Sequence, residues 1–477
     1  LYFYPYGDKT PEVVLPVSES QLLLVNGASN INIEGIDFEC VRNAPFALYN
    51  APENVTLKDC SFKHFNAMSS IDGKNNTLDG CFAYDGAVGF VSINGGDPKT
   101  VTKANNTLKN SIFRECGTVK RAYGHTVILN GFGNTIQNCD IGDSDGDLIA
   151  TNGMGHRITG NAIHNGTRWT GDMGSIYLGR TPVSIGLEIG HNYFYSHASK
   201  YANGWAQAIF ADDGAISPYI HDNVFYQATL PTSMGGQNFS IKTHGGQYMR
   251  VSNNIFVDNP FAVQFQTWST TAEMQPYYTK NWQEIRWFLL LFDKYANSLG
   301  WKAYLINNGI VDENFKVSDA WKNYCKDTEW EPYIELLECG FWDEAKDLDP
   351  KVPEQYEQLK KLAAKYAPNY TNSFTNNAVF EGASSSTGVH EWSKATDENN
   401  YVSLSTRGIF ENYGTDFTVT ESGLEKIKKA APDFRAIDFS AIGTNSLTDG
   451  GKPSLSSAYI TVKDGVKTEK KLDVAPF

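Results

Sequence analysis

A right-handed parallel β-helix is the fold class this sequence predicts. Three observations point to it: a recurring short pattern, a column of asparagines at fixed spacing, and a single interruption after which the pattern returns. The segments NINIEGIDF, NVTLKDCSF, NNTLDGCF, NNTLKNSIF, NTIQNCDI, HRITGNAI, LEIGHNYF, YIHDNVF and MRVSNNIF follow one another through the first half. Each alternates apolar and polar residues, then sets an Asn or another small polar group just before a large apolar residue. Alternation with period two, bounded by Gly and Asn, reads as strand and not as helix. Ile163, Phe194, Phe225 and Phe256 end four segments at steps of 31 residues, and Asn161, Asn192, Asn223 and Asn254 keep the same step. A fixed period of short strands is the mark of a solenoid. Stacked Asn side chains can bond to one another and to turn backbone, which accounts for the column. Coils about 4.8 Å apart are expected.

Taken in order, residues 1–268 read as the β-helix. The chain opens with LYFYPYGD, which is not a natural start, so an upstream segment or a separate chain is expected to cover the first coil. Cys60, Cys81 and Cys139 sit one or two residues before the large apolar residue of their segments, which predicts thiols stacked in a core and not a disulfide framework. Composition changes near Trp268, and seven of the ten tryptophans lie between Trp268 and Trp342. Residues 269–370 therefore read as a helical insertion, with helices expected over Pro276–Leu299 and Pro353–Tyr366. The pattern returns as NSFTNNAVF, and residues 371–442 read as further coils closed by a capped helix within TESGLEKIKKAAPDF. Residues 443–477 form a polar tail, expected to be loosely attached.

A net charge of −14 argues against a nucleic-acid groove. The longest aliphatic-aromatic run, Trp287 to Phe292, is far too short to span a bilayer. Aromatics at 13%, with many Asn and Gly, suit stacking on sugar rings.

A second column emerges when VILNG, IATNG, IYLGR, IFADD and IKTHG are aligned at Val127, Ile149, Ile176, Ile209 and Ile241. Its fourth position holds Asn130, Asn152, Gly179, Asp212 and His244, and its fifth includes Arg180 and Asp213. The earlier coils carry neutral Asn-Gly here, whereas three successive later coils gather Arg180, Asp212, Asp213 and His244, with Lys242 nearby. A solvated turn with compensating charges is the plain reading. Concentration of the charges in one corner favours a functional one. Asp172, from WTGDMGSIYLGR, joins the set from the previous coil. Two carboxylates flanking a bond are what glycoside hydrolysis usually requires, one as general acid and the other as nucleophile or base. Tyr177, Trp169 and Trp205 flank this corner and can stack on sugar. Arg180, Lys242 and His244 can bind an acidic substituent or simply compensate Asp212 and Asp213. GDSDGD, Gly142 to Asp147, is similar to part of a calcium loop without the distal Glu, and could instead be an acidic surface turn. Otherwise no cofactor is expected. His191, His197 and His221 lie near strands, but no tight ligand spacing supports a metal centre.

The segments DMGSIYLGR and IFADDGA, followed by THGGQYMRVSNNIFVDNP, resemble the right-handed β-helix carbohydrate-active proteins, in particular glycoside hydrolase family 141. The likeness extends through the insertion, the returning coils and GLEKIKKAAPDF. It implies a secreted bacterial glycosidase of complex polysaccharide or oligosaccharide, α-L-fucosidase-like or xylanase-like, working extracellularly, in the periplasm or at the cell surface. It also implies an aspartate pair, which falls on Asp172 and Asp213, 41 residues apart, with Asp212 as the alternative second member. On straight strands their offset would separate them by roughly 26 Å at 3.3 Å per residue. Thr170–Gly174 is therefore expected to loop back over the corner, which Gly171 and Gly174 would permit. A polysaccharide lyase using Lys242 or His244 at a uronate, and a non-catalytic glycan-binding solenoid, are the competing expectations.

Overall fold

The computed structural model describes residues 16, 18–179, 184–195, 206–212, 215, 218–229, 239–244, 248–266, 301–328, 330–349, 352–366, 372–380, 395–443, 458–463 and 466–471. Coil after coil contributes one strand to each of three all-parallel sheets, so that through the first strands after the insertion, neighbours in space are three apart in sequence; the last described coil adds strands to the second and third sheets. The first sheet has ten described strands and the second and third have eleven each. Inward residues form one continuous core from Val25 to Val379. The outward residues alternate with them, as the period-two pattern requires.

The asparagine column is a hydrogen-bonded ladder. Asn161 donates its amide to Asn192 Oδ1 at 2.9 Å, Asn192 to Asn223 at 3.0 Å, and Asn223 to Asn254 at 2.9 Å. Each oxygen also takes the backbone N–H of the Asn one coil earlier. The ladder continues from Asn254 to Asn377 at 3.0 Å and from Asn377 to Asn400 at 3.1 Å. It thus bridges the insertion in one step. Beside it, Phe194, Phe225 and Phe256 stack nearly face to face with centroids 4.6 and 4.7 Å apart. All seven cysteines are free thiols; Cys60, Cys81 and Cys139 are buried as expected, and Cys116 is buried beside them in the core.

The insertion is helical at Trp301–Asn307, Asp319–Asp327, Glu331–Leu337, Phe341–Ala345 and Pro353–Tyr366. The first four are short, and their periodicity is too brief to read from sequence. The expected helix over 276–299 lies outside the described residues. Trp321, Trp330 and Phe341 form a second core that closes on Phe132, Met154 and Ile185 of the solenoid. Phe132 and Met154 end their first-sheet strands, so the insertion packs beyond the carboxyl ends of that sheet. The strand Asn372–Thr375 then pairs with Arg250–Ser252, placing the returning coil directly on the one left behind. Thr420 caps the closing helix Glu421–Lys428 by accepting from Gly423 N at 3.0 Å. That helix is shorter than the quoted segment, which continues through turns before and after Pro432. Its apolar face joins a third core with Tyr193, Val224 and Ile255 on the outer side of the third sheet. In the tail, Ala458–Lys463 and Val466–Lys471 pair as an antiparallel hairpin, a feature its polar composition does not announce. Among the described residues no helix is long and apolar enough to cross a membrane.

Candidate functional site

The alignment of the second column is the register of the first sheet. Ile149 pairs with Ile176, Ile176 with Ile209, and Ile209 with Ile241. One residue further, the outward side chains Tyr177, Phe210 and Lys242 follow one another up three coils. Two residues beyond those come Gly179, Asp212 and His244. Asp212 sits at the carboxyl end of strand Ala206–Asp212. It accepts a hydrogen bond from the Tyr177 hydroxyl at 3.1 Å, and its other oxygen lies 3.0 Å from His244 Nδ1. Two side chains from the coils before and after therefore orient this carboxylate. Burial, then the Asp212 charge, pushes the Tyr177 phenol far above its ordinary range, so it stays protonated as the donor.

Lys242 is nearly buried, with its ammonium 5.2 Å above the Phe210 ring. Burial lowers its pKa, and the charges of Asp172 first and Asp212 second oppose that shift. Asp172 thus lies within electrostatic reach of the same ammonium as Asp212. The expected loop of Thr170–Gly174 back over the corner is corrected: Met173 and Gly174 already belong to strand Met173–Gly179, paired with Ala206 and Gln207, so Asp172 precedes the amino end of that strand whereas Asp212 closes the carboxyl end of the next. Asp172 is exposed and adopts the left-handed conformation, φ 61°. Two residues on, Gly174 lies so tightly against the next coil that a Cβ would fall 2.8 Å from Phe210 Cβ and 2.9 Å from Phe210 N. The glycine is needed for that close approach. Gly174→Ala is accordingly expected to force the two strands apart here and to destabilise the fold by about 1–3 kcal/mol. A thermal melt beside wild type checks this: an unchanged midpoint would show that the close approach is not required.

The turn is held from below. Gly174 N donates to Asp147 Oδ1 at 3.1 Å. Asp147 is fully buried, and burial raises its pKa against the pull of His125. The His125 Nδ1 contact, 3.0 Å from Asp147 Oδ2, is an ion-pair approach that misses hydrogen-bond alignment. Asp147 belongs to GDSDGD, and here both sequence expectations for that loop are corrected. It is not an exposed turn, because Ser144, Asp145 and Asp147 are buried. Nor do its carboxylates converge on a calcium-sized cage: Asp143 faces Arg114 at 3.1 Å, Asp145 faces Arg121 at 3.1 Å and Arg168 at 3.0 Å, and Asp147 faces His125. The loop is an internal anchor for the segment that carries Arg168, Trp169 and Asp172.

Two exposed aromatics rim the corner. Trp169 has the Arg121 guanidinium 4.4 Å from its ring centroid, and Tyr123 makes an edge contact with Tyr177 at 6.5 Å. Of the sequence-predicted residues, Tyr177, Asp212, Lys242 and His244 come together, Asp172 stands before the amino end of the Tyr177 strand, and Asp213, Arg180 and Trp205 lie outside the described residues. Sequence reasoning missed Phe210, Tyr123, His125 and Asp147. Phe210 could have been found as the outward residue between Tyr177 and Lys242 in the aligned strands. The others sit in turns whose length varies from coil to coil, so no register predicts where they reach. Compared with protein-family models and with curated proteins, the chain matches none.

Proposed function

We propose that this chain is a glycoside hydrolase of a complex polysaccharide or oligosaccharide, with Asp172 and Asp213 as its catalytic aspartates and Asp212 as the alternative second member. The observation that carries the reading is the Asp212 carboxylate at the end of its strand, held from the coils before and after by Tyr177 and His244, with the buried Lys242 on the neighbouring coil. A pair of carboxylates would supply the acid and the nucleophile or base that glycoside hydrolysis requires. Tyr177 and His244 hold Asp212, Lys242 balances the two negative charges, and Trp169 and Tyr123 offer stacking surfaces at the rim. The resemblance of DMGSIYLGR and IFADDGA to glycoside hydrolase family 141 supports the same reading and nominates Asp213 as the second catalytic acid, with Asp212 placing the substrate beside it. Work on such substrates would be done outside the cytoplasm.

One observation favours a lyase as the second reading: burial lowers the pKa of Lys242, as suits a base. Against it, two aspartates beside that lysine would repel a uronate carboxylate. Digestion of fucosylated, xylan-type, host-type and uronate-rich glycans, with products weighed by mass spectrometry, separates the two. The hydrolase yields products that have gained water. Unsaturated uronate ends would overturn it.

A further inference from the structure

A second constellation lies at the corner where the second sheet turns into the third. In every coil the residue that follows the second-sheet strand has positive φ. Asn, Asp or Gly fills this position from Gly35 to Asn399, except in one coil, where it is His191 with φ 55°. Histidine, like Asn and Asp, is tolerated in this conformation, but only this coil among the described ones uses it here. The next coil puts His221 at the end of its strand and Asp222, φ 53°, in the turn position. Gly190, on the strand before His191, is also unusual. Its φ is ordinary, but a Cβ would meet His221 Cε1 at 2.7 Å and Nε2 at 2.8 Å. The glycine makes room for that imidazole.

We infer that His191, His221 and Asp222 form a binding site for a divalent transition ion of the zinc class. One donor atom from each of the three side chains falls within 4.8 Å of the others. His221 Nδ1 lies 2.6 Å from Asp222 Oδ2, and His191 Nε2 lies 3.9 Å from that oxygen. The groups behind them are set for ligation. His221 Nε2 faces Glu188 Oε1 at 3.2 Å, and Glu188 is held in turn by Arg157 through contacts of 2.8 and 3.3 Å. A carboxylate on the far nitrogen of a histidine fixes its tautomer and turns the near nitrogen's lone pair toward a metal. The second oxygen of Asp222 is taken by the Asn253 amide, which leaves Oδ2 for the shared point. Arg435 Nη2 stands 3.3 Å from Asp222 Oδ2 on a side chain that is 67% exposed, so an arriving cation can displace it into solvent. Two imidazoles and one carboxylate are borderline donors that suit Zn²⁺, with water completing a tetrahedral set, and do not suit Ca²⁺ or Mg²⁺. Bound there, the ion would tie two adjacent coils together. It would also act on the segment after the closing helix, whose Arg435 backbone is held by Asn253. Sequence spacing hides the set because its members come from successive coils.

The test uses the full chain stripped with chelator, titrated with Zn²⁺ by calorimetry and with Co²⁺ by visible absorption. One equivalent should bind, with cobalt bands of a low-coordinate nitrogen-oxygen set. His191→Asn restores the residue type of the other turns and should keep the fold while weakening binding by more than about 100-fold. Glu188→Gln should weaken it by about 10–100-fold. Arg435→Ala, which removes the competing cation, should tighten it. An absence of stoichiometric binding in a folded wild-type chain would overturn the site and leave a structural ion-pair cluster. Binding that is equal in wild type and His191→Asn would overturn it too, as adventitious metal elsewhere.

Discussion

Asn223→Ala is expected to destabilise the middle of the solenoid by about 4 kcal/mol, on the basis of roughly 1–3 kcal/mol for each buried polar group left without a partner. Asn223 accepts from the N–H and the side-chain amide of Asn192, and donates to Ile189 O and Asn254 Oδ1. All three asparagines are completely buried. Truncation strands the Asn192 N–H and the Ile189 carbonyl in an apolar stack that water cannot enter. Asn32→Ala, at an exposed strand position, is expected to change stability by no more than about 0.5 kcal/mol. Because coils contact mainly their neighbours, the effect should be local. Hydrogen exchange should rise in the coils holding Asn192 and Asn254 while the coils around Asn76 and Asn106 stay protected. Uniform loss of protection, or none, would show that the ladder is not what holds the stack together.

The other large effect concerns chemistry. Asp172→Asn is expected to lower turnover of a responsive glycan by about 10²–10⁴-fold, the usual scale for removing a positioned acid or base. The fold should survive, because Asp172 is exposed in its turn. Asp212→Asn and Asp213→Asn then decide between neighbours. If Asp213 is the second catalytic acid, its substitution should reduce the rate on the same scale as Asp172→Asn. Asp212→Asn should then mainly raise KM, since Asp212 is held by Tyr177 and His244 as a placing group. The reverse pattern would transfer the catalytic role to Asp212. If all three variants kept wild-type rates, the carboxylates would be a charge-compensation cluster around Lys242 and nothing more.

Much of the fold was legible because a solenoid writes its register into the sequence. The step of 31 residues between Asn161, Asn192, Asn223 and Asn254 is both a sequence period and a physical ladder. The alignment of Ile149, Ile176, Ile209 and Ile241 is both a column of letters and a set of backbone pairings. Site residues carried on those strands, Tyr177, Asp212, Lys242 and His244, inherited that legibility. What lay in the turns did not. The segment that carries Asp172 is fixed by Gly174 packing against Phe210 and by a buried carboxylate, Asp147, that reads in sequence as one more acidic loop residue. The same loop looked like a calcium motif because spacing shows which acids are adjacent. It does not show that Arg114, Arg121, Arg168 and His125 will arrive from other coils to face them. The short helices of the insertion were missed for a related reason: they are stabilised by Trp321, Trp330 and their packing on Phe132, not by a long amphipathic period.

The most direct test of the paired-aspartate hydrolase is digestion of the most responsive glycan in water enriched in heavy oxygen, with product masses compared for wild type and Asp172→Asn. The account predicts one heavy oxygen at each newly formed sugar end in the wild type, and loss of that product in the variant. Unsaturated ends without heavy oxygen, formed equally by both proteins, would contradict it and move the chemistry to Lys242 and its neighbours.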